Sequence, residues 1–371
     1  MATARDHALS AGRSRPLDLE QRVKLRLSWL RRLYVFLWVE LRSPVRVPWR
    51  TRFKAWRHGF LTTSWFLYEL EHKDPGEYLQ DHRFRDYALF DRHRLAIMDK
   101  LGLCRTLAGL GVPQAQPIAF VQEGTLLPLD IAVLPAGEPM DYADLTTDWP
   151  AVVFRPVGGW AGRGVFFVHR DGERFLVDRQ PTSLDELRSR IASLDQYMVT
   201  EYLECADYAA AVSPGRPNTL RLLTLWDLDT GRPFIAVASQ RFSGSPHTLV
   251  DAFKSAGDGL TAKVDLETGV LGPGLNIDRR GRHLSHDLSP FSGAPITGAV
   301  VPHWQETKSR LLDLAAALPQ YPLVGWDVLM TNDGPFWIEG NSPPGIQLWQ
   351  AHTPLLRDPR SRAFFEWMGA A

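Results

Sequence analysis

The sequence of 371 residues predicts an α+β protein. Strand pairs joined by short turn signals are the first ground. Apolar runs over 218–228 and 233–242 flank Asp229-Thr230-Gly231, and a second pair flanks Asn332-Asp333-Gly334. Helical periodicity forms separate blocks, over 17–42, 50–71, 83–111 and 305–318. With 44% apolar and 23% charged residues, the composition is that of a globular chain able to bury a large core.

Lysine plus arginine and aspartate plus glutamate each number 42, so the net charge of zero predicts no general attraction to nucleic acid or membrane. The distribution is uneven, because residues 1–60 hold fourteen Lys/Arg against four Asp/Glu. This basic, Trp-rich arm reads in two ways: as a helical cap on the main body, or as a peripheral docking element for an anionic membrane face or a protein partner. Its aromatic residues recur all round the helix, which suits the cap. Pro44 and Pro48 end the first helix, and the second stops before Pro75. No apolar run reaches the length that spans a bilayer, and the amino-terminal residues lack a secretory signal pattern. Cys104 and Cys205 stand far apart without metal-ligand spacing, and read as reduced thiols of a cytoplasmic protein.

The most informative stretch runs from Gly325 to Asn341. A hairpin centred on Asp333 sets Asp327 opposite Glu339, Leu329 opposite Trp337 and Thr331 opposite Pro335. Trp326, Val328, Met330, Phe336, Ile338 and Gly340 then make a wholly apolar second face. On the first face Asp327, Glu339 and Asn341 converge. Like charges directly opposite one another are destabilising, so a cation belongs between them. A few hard oxygen ligands with room for water and phosphate suit Mg²⁺. A solvated acidic edge is the other reading of the same residues.

Upstream, 152–157 and 164–168 read as strands around a loop containing Gly158, Gly159, Gly162 and Gly164. Such a loop can turn backbone amides onto an anion. It is not a Walker loop, since the Gly-Lys-Ser/Thr ending is missing and a strand follows. Arg155 lies in the first of these strands, and Arg221 and Arg241 lie in the 218–242 pair. A buried arginine needs a carboxylate or phosphate partner, and internal ion pairs satisfy it as well. Lys100 falls inside the 83–111 helix, where a lone lysine is ordinarily a solvated charge. Ser183 and Glu186 form a capping box opening a helix to about Leu194, and 197–203 is a strand. Residues 135–150 read as a connection and 243–260 as a loop.

Taken in order, Lys100, Arg155-Pro156 with the 158–164 glycine loop, Glu201-Tyr202-Leu203, Asn218-Thr219-Leu220-Arg221 and Asp327 with Glu339-Gly340-Asn341 resemble the ATP-grasp superfamily. The likeness is to its sugar-transfer associated branch, over roughly residues 90–350. The resemblance implies an ATP-grasp fold, two α+β subdomains clasping ATP. Residues 1–90 would be a basic helical extension, 91–203 the lid side and 204–371 the base with the metal-binding hairpin. Lys100 and Arg155 would hold the α and β phosphates, and the glycine loop would close over the β and γ phosphates. Glu201, Tyr202 and Leu203 would meet the adenine edge, and Asp207 or Glu204 the ribose. Asp327, Glu339 and Asn341 would hold one or two Mg²⁺ ions. Arg221 and Arg241 would steady an acyl phosphate, and Asp251 or Asp258 would accept the amine proton. Two departures from the branch stand out: Arg155 replaces the usual lysine, where a forked guanidinium still binds phosphate, and Asp251-Ala252-Phe253 and Gly257-Asp258-Gly259 differ where the acceptor would lie.

The function implied is an ATP-dependent ligase that joins a small-molecule carboxylate to an amine, in glycan or natural-product biosynthesis. A sugar or small-molecule kinase and a non-catalytic nucleotide-binding scaffold are the alternatives.

Overall fold

A computed structural model describes residues 37–43, 45–87, 94–131, 137–158, 162–244 and 259–371. The helix expected over 17–42 falls largely outside the described residues. So do Gly159, Asp251 and Asp258.

Two antiparallel sheets of seven strands carry the fold, one after the other along the chain. The first contains β1 (Pro117–Gln122), β2 (Thr125–Pro128), β3 (Ala151–Pro156), β4 (Phe166–Asp171), β5 (Arg174–Val177), β6 (Gln180–Thr182) and β7 (Tyr197–Glu201), in the order β2-β1-β7-β3-β4-β5-β6. Alternation gives it two faces. Val152, Phe154, Phe166, Val168 and Val199 pack under two helices, α6 (Tyr142–Asp148) and α7 (Leu184–Ala192), with Tyr142, Leu145, Leu187 and Ile191 buried among them. The capping box at Ser183 and Glu186 is present and starts α7. The helix α6 stands where a connection was expected. Asp141 caps it by accepting from the Ala143 amide, and Tyr142 and Leu145 hold it to the core.

The second sheet contains β8 (Thr219–Asp227), β9 (Arg232–Phe242), β10 (Leu260–Val264), β11 (Leu271–Ile277), β12 (His283–His286), β13 (Leu323–Met330) and β14 (Pro335–Asn341). Its order is β12-β11-β10-β9-β8-β13-β14. One face is apolar: Leu220, Leu222, Ala238, Leu260, Val324 and Trp326 pack against α8 (Asp207–Val212) and α9 (Trp304–Ala317). The opposite face is divided. Leu223, Leu225, Val237 and Leu323 pack on the carboxy-terminal segment with α10 (Gln347–Gln350) and α11 (Pro359–Trp367). Arg221, Ser239, Arg241 and Thr261 continue the same face as a polar surface, by register and alternation.

Among the described residues, the helices α1 (Trp49–Arg57), α2 (Thr62–Leu67), α3 (Asp81–Tyr87), α4 (Arg94–Met98) and α5 (Lys100–Gly109) precede β1, after a helical turn at 37–41. Two expectations are corrected. The helix expected over 50–71 is divided after Arg57, with Gly59 in the left-handed region at φ 86°. The helix expected over 83–111 is not continuous: Asp99 has extended backbone and accepts from the Leu101 amide at 3.1 Å, so it caps a new helix, α5, beginning at Lys100.

The hairpin register is a third correction. Asp327 does pair with Glu339, but Val328 pairs with Trp337, Leu329 with Phe336 and Met330 with Pro335. A β-bulge at Ile338 supplies the extra residue. Trp337 thereby turns into the apolar core at 1% exposure, while Phe336 and Ile338 are only half-buried. Burial of the Trp337 ring favours the bulge over the uninterrupted register, and Glu339 keeps its place opposite Asp327.

Candidate active site

The bulge also joins the two sheets. Arg155 reaches from β3 to the edge strand β14, where Nη1 donates to the carbonyl oxygen of Ile338 at 3.3 Å. The backbone of Trp337 donates to Pro113 at 2.9 Å, pinning the same strand to the segment after α5. Gly340 permits the close approach of α4, because a Cβ there would meet Ile97 at 2.9 Å. Lys100, one turn beyond Ile97, is consequently buried at 8% exposure rather than solvated. Burial depresses its ammonium pKa, and the nearby Glu339 carboxylate opposes that shift.

The polar face of the second sheet meets this junction. β13 pairs with β8 so that Asp327 stands beside Arg221, and Arg221 Nε and Nη2 donate to the two carboxylate oxygens at 2.6 Å each. Arg241 from β9 adds a third contact, Nη2 to Asp327 Oδ2 at 3.0 Å, and is itself steadied by the Thr219 hydroxyl. Arg221 also lies 3.9 Å from Glu339 Oε1. The cation expected between the carboxylates therefore exists in the protein itself, as a guanidinium bridging Asp327 and Glu339. Asn341 Nδ2 donates to Glu339 Oε1 at 3.2 Å and completes the row.

The two carboxylates differ sharply in ionisation. Burial pushes Asp327 up, but the guanidiniums of Arg221 and Arg241 overcome it and hold the group far below the usual carboxylate range. Glu339 is pushed up, first by burial and then by the negative charge of Asp327. Burial and that charge favour its protonated form, and the positive charges of Arg221 and Lys100 oppose them.

This donor set fits a divalent cation. An ionised carboxylate offers about four lone-pair sites. Arg221 and Arg241 occupy three on Asp327, leaving one, whereas Glu339 and the amide oxygen of Asn341 are better placed to serve as principal ligands. Among the described residues no group of three His, Cys, Asp or Glu side chains forms a closed metal cage. Two carboxylates and one amide leave coordination positions for phosphate oxygens, as Mg²⁺ requires.

On the other side, Arg155 is 7% exposed and its Nε is buried without a hydrogen-bond partner. Buried charge left partly unsatisfied is costly and marks a position for an anion. The glycine loop follows directly: Gly158 is exposed with open space at its Cβ position, and Gly162 and Gly164 have φ of 64° and 78°.

The adenine and ribose candidates are more committed to the fold. Glu201 Oε1 accepts from the Gln116 amide at 2.8 Å, and Tyr202 packs edge-on against Phe167 and His169. The strand ends at Glu201, so Tyr202 and Leu203 lie just beyond it. Asp207 opens α8 and bonds Asn332, its Oδ1 accepting from Asn332 Nδ2 at 3.1 Å. Thr219 stands in the 218–221 motif with no role of its own assigned there; its hydroxyl accepts from Arg241 Nε, and its place two residues before Arg221 on β8 was the available signal.

Two antiparallel sheets thus meet at a junction with Arg155 and Lys100 on one side and an acidic pair on the other. The chain belongs to the sugar-transfer associated ATP-grasp family, whose sequence model matches residues 81–357. Solved structures similar to it include two ligases and a biotin carboxylase. D-alanine–D-alanine ligase from Bacillus anthracis shares 13% identity, over 74% of this chain and 65% of that one, at a TM-score of 0.37. The ATP-grasp ligase PsnB, complexed with a phosphomimetic variant of its minimal precursor, Mg and ADP, shares 12% over 75% and 60%, at 0.35. Biotin carboxylase from Campylobacter jejuni, as a β-γ-ATP complex, shares 11% over 77% and 48%, at 0.41. This chain thus spans from about half to just under two thirds of those proteins. No curated protein matches it.

Proposed function

We propose that this chain is an ATP-dependent carboxylate–amine ligase working through an acyl phosphate. The observation that carries the reading is Arg155: a buried guanidinium, its Nε without a partner, set against the edge strand that bears Glu339 and Asn341. Phosphate would supply the missing acceptor, with Lys100 beside it and the loop 158–164 above. Glu339 and Asn341, with the remaining position on Asp327, would hold Mg²⁺, which would neutralise charge on the transferring phosphoryl group. The 91–203 and 204–371 portions would act as lid side and base.

The carboxylate oxygen of the acid would attack the γ-phosphorus of ATP, breaking its bond to the β–γ bridging oxygen and releasing ADP. An amine would then attack the acyl carbon, lose a proton to solvent or a nearby base, and expel inorganic phosphate. Arg221 and Arg241, held in place by Asp327, would offer their outer N–H groups to the charge that builds on the acyl oxygen. ADP release measured over paired pools of carboxylic acids and amines, with mass spectrometry on each hit, tests this directly. An amide with free phosphate is the expected product pair. A phosphorylated acceptor without amide would establish the kinase reading instead, and ATP binding without turnover on any acceptor would establish the scaffold.

A further inference from the structure

Nine large hydrophobic side chains stand well exposed among the described residues, and five of them, Leu37, Trp38, Leu41, Trp49 and Phe53, fall within one short stretch. Leu41 is 72% exposed, Phe53 60% and Trp49 53%. These are not the loose side chains of a tail. Arg52 of α1 donates to the buried Glu40 carboxylate at 2.7 Å and to the carbonyls of Glu40 and Val45 at 3.0 and 2.7 Å, while Glu40 also accepts from the Thr62 amide at 2.6 Å. A buried ion pair therefore fixes the 37–41 helical turn to α1 and α2. Trp49, Phe53 and Trp56 pack on one another at 5.2–6.3 Å between ring centroids, and Arg42 stacks over Trp38 at 4.2 Å.

The charge within this stretch is almost all of one sign. Residues 37–57 hold six Lys/Arg and only Glu40, which Arg52 already neutralises. Arg42, Arg46, Arg50 and Arg57 are exposed, and Lys54 lies 3.6 Å from Glu71. The fold brings a second basic group to the same place. The Arg46 amide donates to the Arg279 carbonyl at 2.7 Å, which sets the exposed Arg279 and Arg280 of the β11–β12 turn beside the arm.

We propose that this surface docks on an anionic phospholipid bilayer. Indole and phenyl rings with leucines suit the interface between headgroup and acyl chain, and arginine stems can lie along that boundary while their guanidiniums meet lipid phosphates. The exposed leucines argue for lipid over nucleic acid, where they would find no stacking partner. The proposal is independent of the ATP site and concerns only where the protein works.

Co-sedimentation of the full chain with vesicles tests it. The chain is expected to pellet with phosphatidylcholine vesicles containing phosphatidylglycerol and to stay in solution with phosphatidylcholine alone. Arg42→Gln/Arg46→Gln/Arg50→Gln is expected to lower partitioning about 100-fold, and Trp49→Ala/Phe53→Ala at least about tenfold. Both variants change exposed side chains, so an unchanged melting transition verifies their fold. The proposal is overturned by no association with anionic vesicles, by equal association with neutral ones, or by variants that bind as the parent does. A dimer in solution that Trp49→Ala/Phe53→Ala dissolves would assign the surface to a second copy of the chain and likewise overturn it.

Discussion

Three largely buried arginines of the two sheets, Arg155, Arg221 and Arg241, serve opposite purposes. Arg155, in the first sheet, donates to one carbonyl at 3.3 Å and lies beside the Cys104 thiol, while its Nε is buried without a partner. Arg221 and Arg241, in the second, converge on both oxygens of Asp327. Each is 7–12% exposed, so solvent does not explain the contrast. A charge neutralised within the protein is a structural element that can also present its outer donors in a fixed orientation. A charge left with unmet donors is a site awaiting an anion. In the first sheet the guanidinium lacks a full set of partners; in the second the guanidiniums are paired, and Glu339 is the group pushed toward protonation.

The strongest way to break this comparison is Asp327→Asn, which removes the carboxylate charge that both guanidiniums share. Loss of one partner of a buried pair costs about 3–5 kcal/mol, and urea unfolding followed by hydrogen exchange of β8 and β13 is expected to show a loss of that size. Arg155→Leu is the converse. Stability is expected to hold within about 1 kcal/mol or to rise, because the removed charge was incompletely satisfied, while ATP turnover falls about 100- to 1000-fold. If Arg155→Leu instead unfolds the protein and Asp327→Asn does not, the two roles are reversed.

A third test concerns pH. Burial, against an opposing bond from the Thr261 backbone and with added repulsion from Lys263, His283 and Lys73, pulls His352 down to about 3. Between that value and the ordinary value near 6.5 the unfolded chain binds the extra proton and the native one does not. Stability is therefore expected to be full above about pH 6.5 and to fall by a few kcal/mol as pH drops toward 3. Replacing His352 with Asn should flatten that slope in acid titrations monitored by fluorescence. The smallest effect is expected from Ser183→Ala, which removes the capping box of α7 far from the junction. It should cost about 1 kcal/mol and leave ATP turnover unchanged in a steady-state assay.

Much of the site was legible because it depends on pairing within one hairpin. Asp327 opposite Glu339 follows from two-residue alternation about a strong turn, and that pairing survives the bulge. The bulge itself was not legible, since it arises from the fit of Trp337 against the core beneath α9. Arg221 and Arg241 announced that they needed an anion, but not that the anion was Asp327, because β8 meets β13 across about a hundred residues of chain. Lys100 looked like a surface charge until α4 and α5 were seen to press it against the hairpin. The strands β10 to β12 were hidden for another reason: Leu271–Ile277 contains Gly272-Pro273-Gly274, a pattern that reads as a turn, and it is held as a strand by its neighbours on both sides.

The sequence by itself determined the α+β class, the acidic hairpin, the cations that need anionic partners and, through their order, the resemblance to ATP-grasp proteins. Local signals carry these features: turn chemistry, alternation, capping and the cost of burying a charge. Only the tertiary structure decided which arginines are already neutralised and which is left incomplete, that Lys100 is buried, and that the basic arm meets a second basic turn beside its exposed rings. Those outcomes depend on contacts between residues far apart in the chain, where packing and strand register settle what local propensity leaves open.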